Sequence, residues 1–314
     1  MGGGIWTEMA YNSVTRGKID SGTTFAYTSY AKASGIHEAH EDLRIIKDGK
    51  VLTRESRDSD EHPESTPIVI GFDVTGSMGG NPAILQEHLK GLFGMLIRKD
   101  VVSDPQVAIG AYGDTYCDRV PIQFSQFESD NRIDDNLDNV YVERGGGGND
   151  GETSTALVWY VANHVVTDAW EKRGKKGYLF LIGDECALPV ASDAASRYLM
   201  TQGEITPENA FSAAKEKWDV YFLLVNNYAA KMQHSEVKYG NLLDDGHVIV
   251  LQSTESAPAV IASLIGIAEE TVDSDSLATE LAESGFSGEV ALDAVRATTG
   301  TVAKADDSYA DLAL

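Results

Sequence analysis

Short, continuous apolar runs alternate along this chain with segments whose apolar residues recur at helical spacing. Runs of about four to eight apolar residues are typical of strands buried on both faces, whereas helical spacing predicts amphipathic helices. The strand-like runs are residues 67–72, 107–112, 178–183, 220–225 and 247–251, and the helix-like segments are residues 84–96, 155–170, 206–218 and 257–271. Because strand and helix alternate, we predict a doubly wound α/β fold, with a mostly parallel central sheet flanked by helices.

The two ends of the chain lack this alternation. Residues 1–66 show no sustained periodicity and are rich in Gly, Ser, Thr, Asp and Glu, which predicts an extended or partly disordered N-terminal segment. Acidic residues dominate 273–314, where scattered apolar positions indicate a short helical appendage. We therefore expect one domain over residues 67–272. Within it, residues 121–127 alternate apolar and polar positions, as a half-exposed edge strand would.

The first strand-like run ends in a cluster of oxygen-bearing side chains. Asp73 closes the run, and Thr75 and Ser77 follow at alternate positions. In open α/β sheets, ligands bind in the crevice outside the carboxyl ends of the strands. Carboxylate and hydroxyl oxygens are the donors that Mg²⁺, Mn²⁺ and Ca²⁺ prefer. The pattern therefore predicts a divalent-cation site at this end of the sheet.

Other ligand-binding motifs do not fit this segment. A phosphate-binding P-loop needs a lysine, which is absent between Gly71 and Lys90, and residues 76–80 lack the spacing of a dinucleotide fingerprint. A phosphotransferase of the Asp-x-Asp type would need a second carboxylate where Thr75 stands. Because no proton donor or acceptor adjoins Asp73, and no Ser/His/Asp or Cys/His arrangement is evident, we expect a binding protein and not an enzyme.

The Asp-x-Thr-Gly-Ser pattern after an apolar strand resembles the first motif of von Willebrand factor A (VWA) domains, in the form found in intracellular bacterial and phage proteins. The metal-ion-dependent adhesion site of that family has a third motif, an Asp after another apolar strand, which Asp184 matches. Its second motif is a glycine-rich loop that opens a helix. Residues 145–153 match that loop through Thr153, with Asp150 as the alternative. The resemblance covers residue 67 to the helix near residue 257, and implies an antiparallel edge strand at residues 121–127.

The resemblance also implies a role for each site residue. Thr75 and Ser77 would coordinate the cation directly, and Thr153 directly or through water. Asp73 and Asp184 would orient waters and hydroxyls from close by. Neutral hydroxyls leave the cation electrophilic, so a carboxylate from a partner protein could complete its coordination shell. Mg²⁺ is the favoured cation, with Mn²⁺ and Ca²⁺ as alternatives.

Two more carboxylates are candidates for the outer shell of this site. Asp114 follows the strand-like run of residues 107–112 and is expected at the same end of the sheet, although loop aspartates often serve only turns. Asp150, in the glycine-rich loop, is the second candidate.

We expect a cytoplasmic, metal-dependent protein-interaction module, an adaptor or assembly factor whose partner supplies an acidic ligand. Intracellular members of the resembled family often work beside AAA+ ATPases, so such an ATPase or a self-assembling complex is the expected partner. Two alternatives stay open. One is a structural component of a phage or cellular particle. The other is a metal-dependent hydrolase or phosphotransferase that uses Asp73, with Asp114, Asp150 or Glu185 as acid or base.

Charge and composition narrow the choice of partner. The chain has 25 basic and 49 acidic residues, a net charge of −24, which repels phosphate backbones and argues against nucleic-acid binding. No apolar stretch approaches the ~20 residues of a membrane span, and the N-terminus lacks a signal core, which indicates a cytoplasmic protein without a membrane partner.

Cys117 and Cys186 have no partner at metal-ligand spacing, so we expect reduced thiols, with a regulatory disulfide as the alternative.

Overall fold

The computed structural model describes residues 7, 9, 25–90, 92–98, 101–143, 154–225, 235–236, 238–273, 276–283 and 286–298. The strands in chain order are β1 Ile46–Lys47, β2 Lys50–Val51, β3 Arg54–Ser56, β4 Thr66–Asp73, β5 Pro105–Tyr112, β6 Ile122–Phe124, β7 Val165–Thr167, β8 Gly177–Gly183, β9 Trp218–Val225 and β10 Val248–Leu251. The helices are α1 Ala26–Ala33, α2 Asn81–Leu89, α3 Leu92–Arg98, α4 Arg132–Asp138, α5 Ser154–His164, α6 Asp168–Arg173, α7 Ser192–Leu199, α8 Pro207–Lys215, α9 Ala257–Ala268 and α10 Leu277–Glu283. Residues 288–298 are also helical.

A six-stranded sheet forms the centre of the molecule, in the order β10-β9-β8-β4-β5-β6. The neighbours from β10 to β5 pair in parallel, and β6 pairs antiparallel with β5 at the edge. This arrangement confirms the predicted α/β fold class and its antiparallel edge strand. Every residue of β4, β5 and β8 is buried, as expected for strands covered on both faces.

Alternate residues of the central strands enter two separate apolar layers. Ile68, Ile70 and Phe72 face a cluster to which α2, α3 and α9 contribute. Val69 faces the opposite cluster, which includes residues of α5 and α8. Helix α5 lies so close to the sheet that a Cβ at Gly71 would overlap Leu157 Cδ2. The glycine in β4 therefore allows a helix to pack directly over the strand that ends in Asp73.

The single helix predicted for residues 84–96 is two helices, α2 and α3. Two other predicted elements differ from the structure because of contacts distant in sequence. The helix predicted for residues 155–170 ends at His164, and Val165–Thr167 instead forms β7, which pairs in parallel with β3. These β-branched residues suit a strand once Arg54–Ser56 supplies the partner. The edge strand predicted as half-exposed is fully buried. Its Gln123 bonds the backbone N–H and C=O of Tyr141, both at 2.8 Å, so a neighbouring segment covers the strand.

The described part of the N-terminal segment packs on the sheet domain through ion pairs. Arg173 Nη1 lies 2.7 Å from Asp58 Oδ2, and Arg57 Nη1 lies 2.8 Å from Asp168 Oδ1. Burial opposes the ionisation of Asp58, but hydrogen bonds from Arg173, Ser65 and Lys172 outweigh it and hold the pKa of Asp58 well below its ordinary value. Apart from residues 7 and 9, the predictions for residues 1–24 lie outside the described residues.

The described residues beyond 273 also pack on the domain. Leu277, Leu281, Val290 and Ala294 join the apolar cluster that contains β4 and α9. These buried side chains place α10 and the helix of residues 288–298 against the body of the protein. Residues 299–314 of the acidic segment lie outside the described residues.

Candidate metal centre

The strand order creates a crevice at one point along the carboxyl edge of the sheet. From β4 the chain proceeds to β5 on one side, whereas β8, on the other side of β4, leads away to β9 and β10. The loops after β4 and β8 therefore diverge, and such a switch point is where open α/β sheets bind ligands. Asp73 is the last residue of β4, and Asp184 directly follows β8. Both motif aspartates thus flank the switch point.

The loop after β4 is folded by its own motif residues. Asp73 Oδ1 accepts the backbone N–H of Thr75 at 2.7 Å, which turns the chain at the end of the strand. A short 3-10 turn, Gly76–Met78, follows, and Gly79 ends it with a positive φ of 56°. Thr75 Oγ1 and Ser77 Oγ lie 3.1 Å apart. The sequence pattern therefore produces a loop in which two hydroxyls face the same point.

The loops after β4 and β8 meet through Ser77. Its Oγ donates to Asp184 Oδ1 at 2.9 Å, across 107 residues of sequence. Asp73, Thr75 and Asp184 are all at least 95% buried, whereas Ser77 is half-buried. The cluster is therefore closed below and reaches the surface at Ser77. The structure brings together four of the five predicted ligands.

Close packing beneath the cluster sets the separation of the two aspartates. A Cβ at Gly183 would overlap the phenol oxygen of Tyr112 and would lie 3.2 Å from Asp73 Cβ. Tyr112 is itself held in place, since its hydroxyl donates to the carbonyl of Ile182 at 3.0 Å. Burial, with smaller contributions from Tyr239 and the two aspartates, raises the pKa of Tyr112 well above its ordinary value. Tyr112 therefore remains a neutral donor below the site.

A second layer of polar contacts supports the loop after β8. Ser235 Oγ lies 3.4 Å from the carbonyl oxygen of Asp184 and 3.4 Å from Cys186 Sγ. Cys186 is buried and Cys117 is exposed. Sequence reasoning did not identify Tyr112, Gly183 or Ser235. The one available signal was the glycine directly before Asp184, because glycine within a strand often marks a close approach.

The remaining predicted residues lie outside this cluster or outside the described residues. Asp114 is fully buried, and its Oδ1 accepts the backbone N–H of Tyr116 at 2.7 Å and of Cys117 at 3.3 Å, which are the bonds of a turn. Its outer-shell role stays a prediction. Thr153 and Asp150 fall in residues 144–153, outside the described residues. The next residue, Ser154, begins α5, and its Oγ lies 2.8 Å from Tyr239 Oη.

The loop that Asp114 organises contains a carboxyl with a shifted pKa. Asp118 Oδ2 accepts the backbone N–H of Asp114 at 2.8 Å, and only 8% of Asp118 is exposed. Burial raises the pKa of Asp118 to about 6, against the opposing backbone hydrogen bond and with help from the charges of Glu143 and Asp114.

The donor set and its spacing fit a small hard cation. Neighbouring ligands of an octahedral Mg²⁺ with bonds near 2.1 Å are about 3 Å apart. The two oxygen separations, 3.1 Å for Thr75 to Ser77 and 2.9 Å for Ser77 to Asp184, are hydrogen-bond distances that are also close to that edge length. Among the described residues, no group of three or more His, Cys, Asp and Glu side chains that could hold a metal ion is found, and this cluster contains two such side chains, Asp73 and Asp184. A mixture of hydroxyls and carboxylates is the chemistry that Mg²⁺ accepts.

Comparisons with known proteins complete the description. No protein-family model matches the sequence, and no curated protein matches it. The chain is similar to the solved pilus adhesin SpaC from Lactobacillus rhamnosus GG in its open conformation, with 10% identity over 69% of this chain and a TM-score of 0.46. It spans 31% of the SpaC chain. Within the described part of the chain, no helix is long and apolar enough to cross a membrane.

Two further solved structures show comparable likeness. Proximal thread matrix protein 1 from the mussel byssus matches at 12% identity, over 65% of this chain and 46% of that one, with a TM-score of 0.42. The conserved hypothetical protein BatB from Bacteroides thetaiotaomicron matches at 13% identity, over 65% of this chain and 98% of that one, with a TM-score of 0.38. The α/β assignment rests on the strand order given above and not on these likenesses.

Proposed function

We propose that this chain is a VWA-type interaction module that binds a divalent cation at the switch point and captures a carboxylate of a partner protein. Asp73, Thr75, Ser77 and Asp184 would hold the cation, with Thr153 as the ligand from the glycine-rich loop. Mg²⁺ is the proposed cation, and Mn²⁺ or Ca²⁺ the alternatives. The proposed setting is the cytoplasm, and the proposed activity is binding and not catalysis.

One observation carries the proposal. Hydroxyls from one loop and a carboxylate from another converge at 2.9 and 3.1 Å, although more than one hundred residues separate the loops. Three oxygens from two loops thus meet where the protein surface begins. Because the convergence lies at the topological switch point, the ligand chemistry and the fold indicate the same place.

The arrangement of charge supports capture of a carboxylate. The hydroxyls of Thr75 and Ser77 carry no charge, so they would neutralise little of the cation. When bound, the cation would supply a Lewis-acidic coordination position for an oxygen ligand. Ser77, which is half-buried, is the least buried member of the cluster, so a partner would approach from its side. The proposed partner presents an Asp or Glu side chain; an AAA+ ATPase or a self-assembling complex is the class proposed for it.

Calorimetric titration of Mg²⁺, Mn²⁺ and Ca²⁺ into EDTA-treated protein tests the cation site. We expect one saturable site, which the double variant Asp73→Ala, Ser77→Ala abolishes. The matched control is Ser192→Ala, Asp193→Ala, which removes the same two residue types from an exposed position on α7. The control corrects for weak cation binding by the acidic surface. Identical weak heats from all three proteins would refute the site.

Water-proton relaxation with bound Mn²⁺ tests the capture of a carboxylate. Exchangeable waters on the ion enhance relaxation, and a peptide with a single glutamate should lower that enhancement by displacing water. The same peptide with glutamine is the control. Equal effects of the two peptides would contradict carboxylate capture while leaving the cation site intact.

A further inference from the structure

The helix of residues 288–298 contacts the turn that leads into α9 through a buried carboxylate. Asp293 is 6% exposed. Its Oδ2 lies 2.5 Å from Ser256 Oγ and accepts the backbone N–H of Ser253 at 3.2 Å. The turn Thr254–Ser256 directly precedes α9. Asp293 thus fixes this turn with two charge-assisted hydrogen bonds, which are stronger than neutral ones.

The same turn contacts the loop of the proposed cation site. Thr254 Oγ1 donates to Asn81 Oδ1 at 2.9 Å. Asn81 is the first residue of α2, four positions after Ser77 and directly after Gly79 and Gly80. Two successive glycines give the backbone between Ser77 and α2 unusual freedom. A side-chain bond at Asn81 therefore limits where the end of the cation loop can lie.

Apolar packing fixes the helix that carries Asp293. Val290, Ala291 and Ala294, which flank Asp293 on its helix, are buried in the cluster that also contains Met78 of the cation loop. A helix fixed by apolar burial holds its carboxylate at a constant position. The hydrogen bonds from Asp293 through the turn to Asn81 consequently join the helix of residues 288–298 to the loop of Ser77.

We propose that Asp293 is a positioning residue for the cation site: it holds the turn before α9, and through Thr254 and Asn81 it keeps the Ser77 loop in the arrangement that binds the cation. Asp293 touches neither the cation nor its ligands in this proposal. The inference rests on the proposed cation site for its functional consequence, but the effect on the loop is independent of metal. The helix of residues 288–298 is thereby part of the site's framework.

Two measurements on the full chain test the proposal. In EDTA, hydrogen exchange at residues 76–83 should accelerate by about tenfold in Asp293→Ala, well beyond any change in β8, since loss of a charged hydrogen bond frees the turn. Asp293→Asn, which keeps an acceptor oxygen, should restore the slow exchange. Leu292→Ala, at a position on the same helix that is 53% exposed, should leave it unchanged.

Titration of each variant with Mn²⁺ measures the effect of Asp293 on cation affinity. Asp293→Ala and Thr254→Val should each weaken Mn²⁺ binding by about three- to tenfold, and the double variant by no more than either, because both break one connection. Unchanged exchange at residues 76–83, or exchange that rises equally in β8, would overturn the proposal, as would additive effects on affinity. If the unaltered protein bound no Mn²⁺, the proposed function would fail, and hydrogen exchange alone would decide the role of Asp293.

Discussion

The substitution Gly183→Ala tests whether close packing sets the separation of the two motif aspartates. The new methyl group would overlap the phenol oxygen of Tyr112 and crowd Asp73 Cβ at 3.2 Å. Tyr112 is 3% exposed and bonds the carbonyl of Ile182 at 3.0 Å, so it can yield only by breaking that bond. Overpacking costs about 1–3 kcal/mol and a lost hydrogen bond about 1 kcal/mol, so we expect a total loss of about 2–4 kcal/mol of stability.

Urea unfolding in EDTA, followed by tryptophan fluorescence, measures this loss without any contribution from bound metal. With a slope near ~3 kcal/mol/M for a chain of this size, the midpoint should fall by about 1 M. Gly240→Ala is the matched control, because no atom lies within 4 Å of its added Cβ. Its midpoint should stay the same or rise slightly, since alanine restricts the unfolded chain.

A double-mutant cycle identifies the atom responsible. Tyr112→Phe removes the phenol oxygen and should cost about 1 kcal/mol by itself. In that background, Gly183→Ala should cost no more than about 1 kcal/mol, because the overlapping atom is gone. An equal cost of Gly183→Ala in both backgrounds would refute the packing argument, and so would a Gly183→Ala variant as stable as the unaltered protein.

Two further predictions concern buried charges elsewhere in the domain. Asp118 should titrate with a pKa of about 6 in carboxyl ¹³C NMR. Because this folded-state pKa is above the ordinary 3.8, Asp118 raises the free energy of unfolding as pH falls from 7 to 4. Asp118→Asn should remove that part of the pH dependence. A pKa near 4 would contradict the account. Lys90 Nζ lies 2.8 Å from Asp138 Oδ1 with 3% of the lysine side chain exposed, so Lys90→Met should cost about 3–5 kcal/mol in urea unfolding by removing the cation beside the Asp138 carboxylate. Lys90→Met combined with Asp138→Leu should recover most of that loss, and no recovery would show that packing, not charge, determines the cost.

Much of the fold could be predicted because its signals are local. Apolar runs are long enough to specify buried strands, and the helix-like segment of residues 206–218 begins where α8 does, at the cap in which Thr206 Oγ1 accepts the backbone N–H of Asn209. The positions of the two motif aspartates in the fold were predictable in the same way. Asp73 and Asp184 each end or follow a strand, and parallel strands place their carboxyl ends along one edge.

Elements that depend on distant partners could not be predicted from local pattern. Residues 165–167 continue the apolar helix pattern, and only pairing with β3 makes them a strand. The alternation of apolar and polar residues in 121–127 predicts that the Gln123 side chain faces solvent. In the structure it is buried, and its amide group bonds the backbone of Tyr141. In both cases a contact between segments more than ten residues apart overrides local preference.

Short segments of sequence are enough to specify the alternation of strand and helix and the residue types of the candidate site, because strand burial and oxygen chemistry are local properties. The packing of the folded chain determines which oxygens meet, that Tyr112 and Gly183 lie beneath them, and that Asp293 is connected to the same loop by hydrogen bonds. Those features depend on distances between residues remote in the chain. Such distances are set by how strands are ordered and how helices pack on them, which no local pattern encodes.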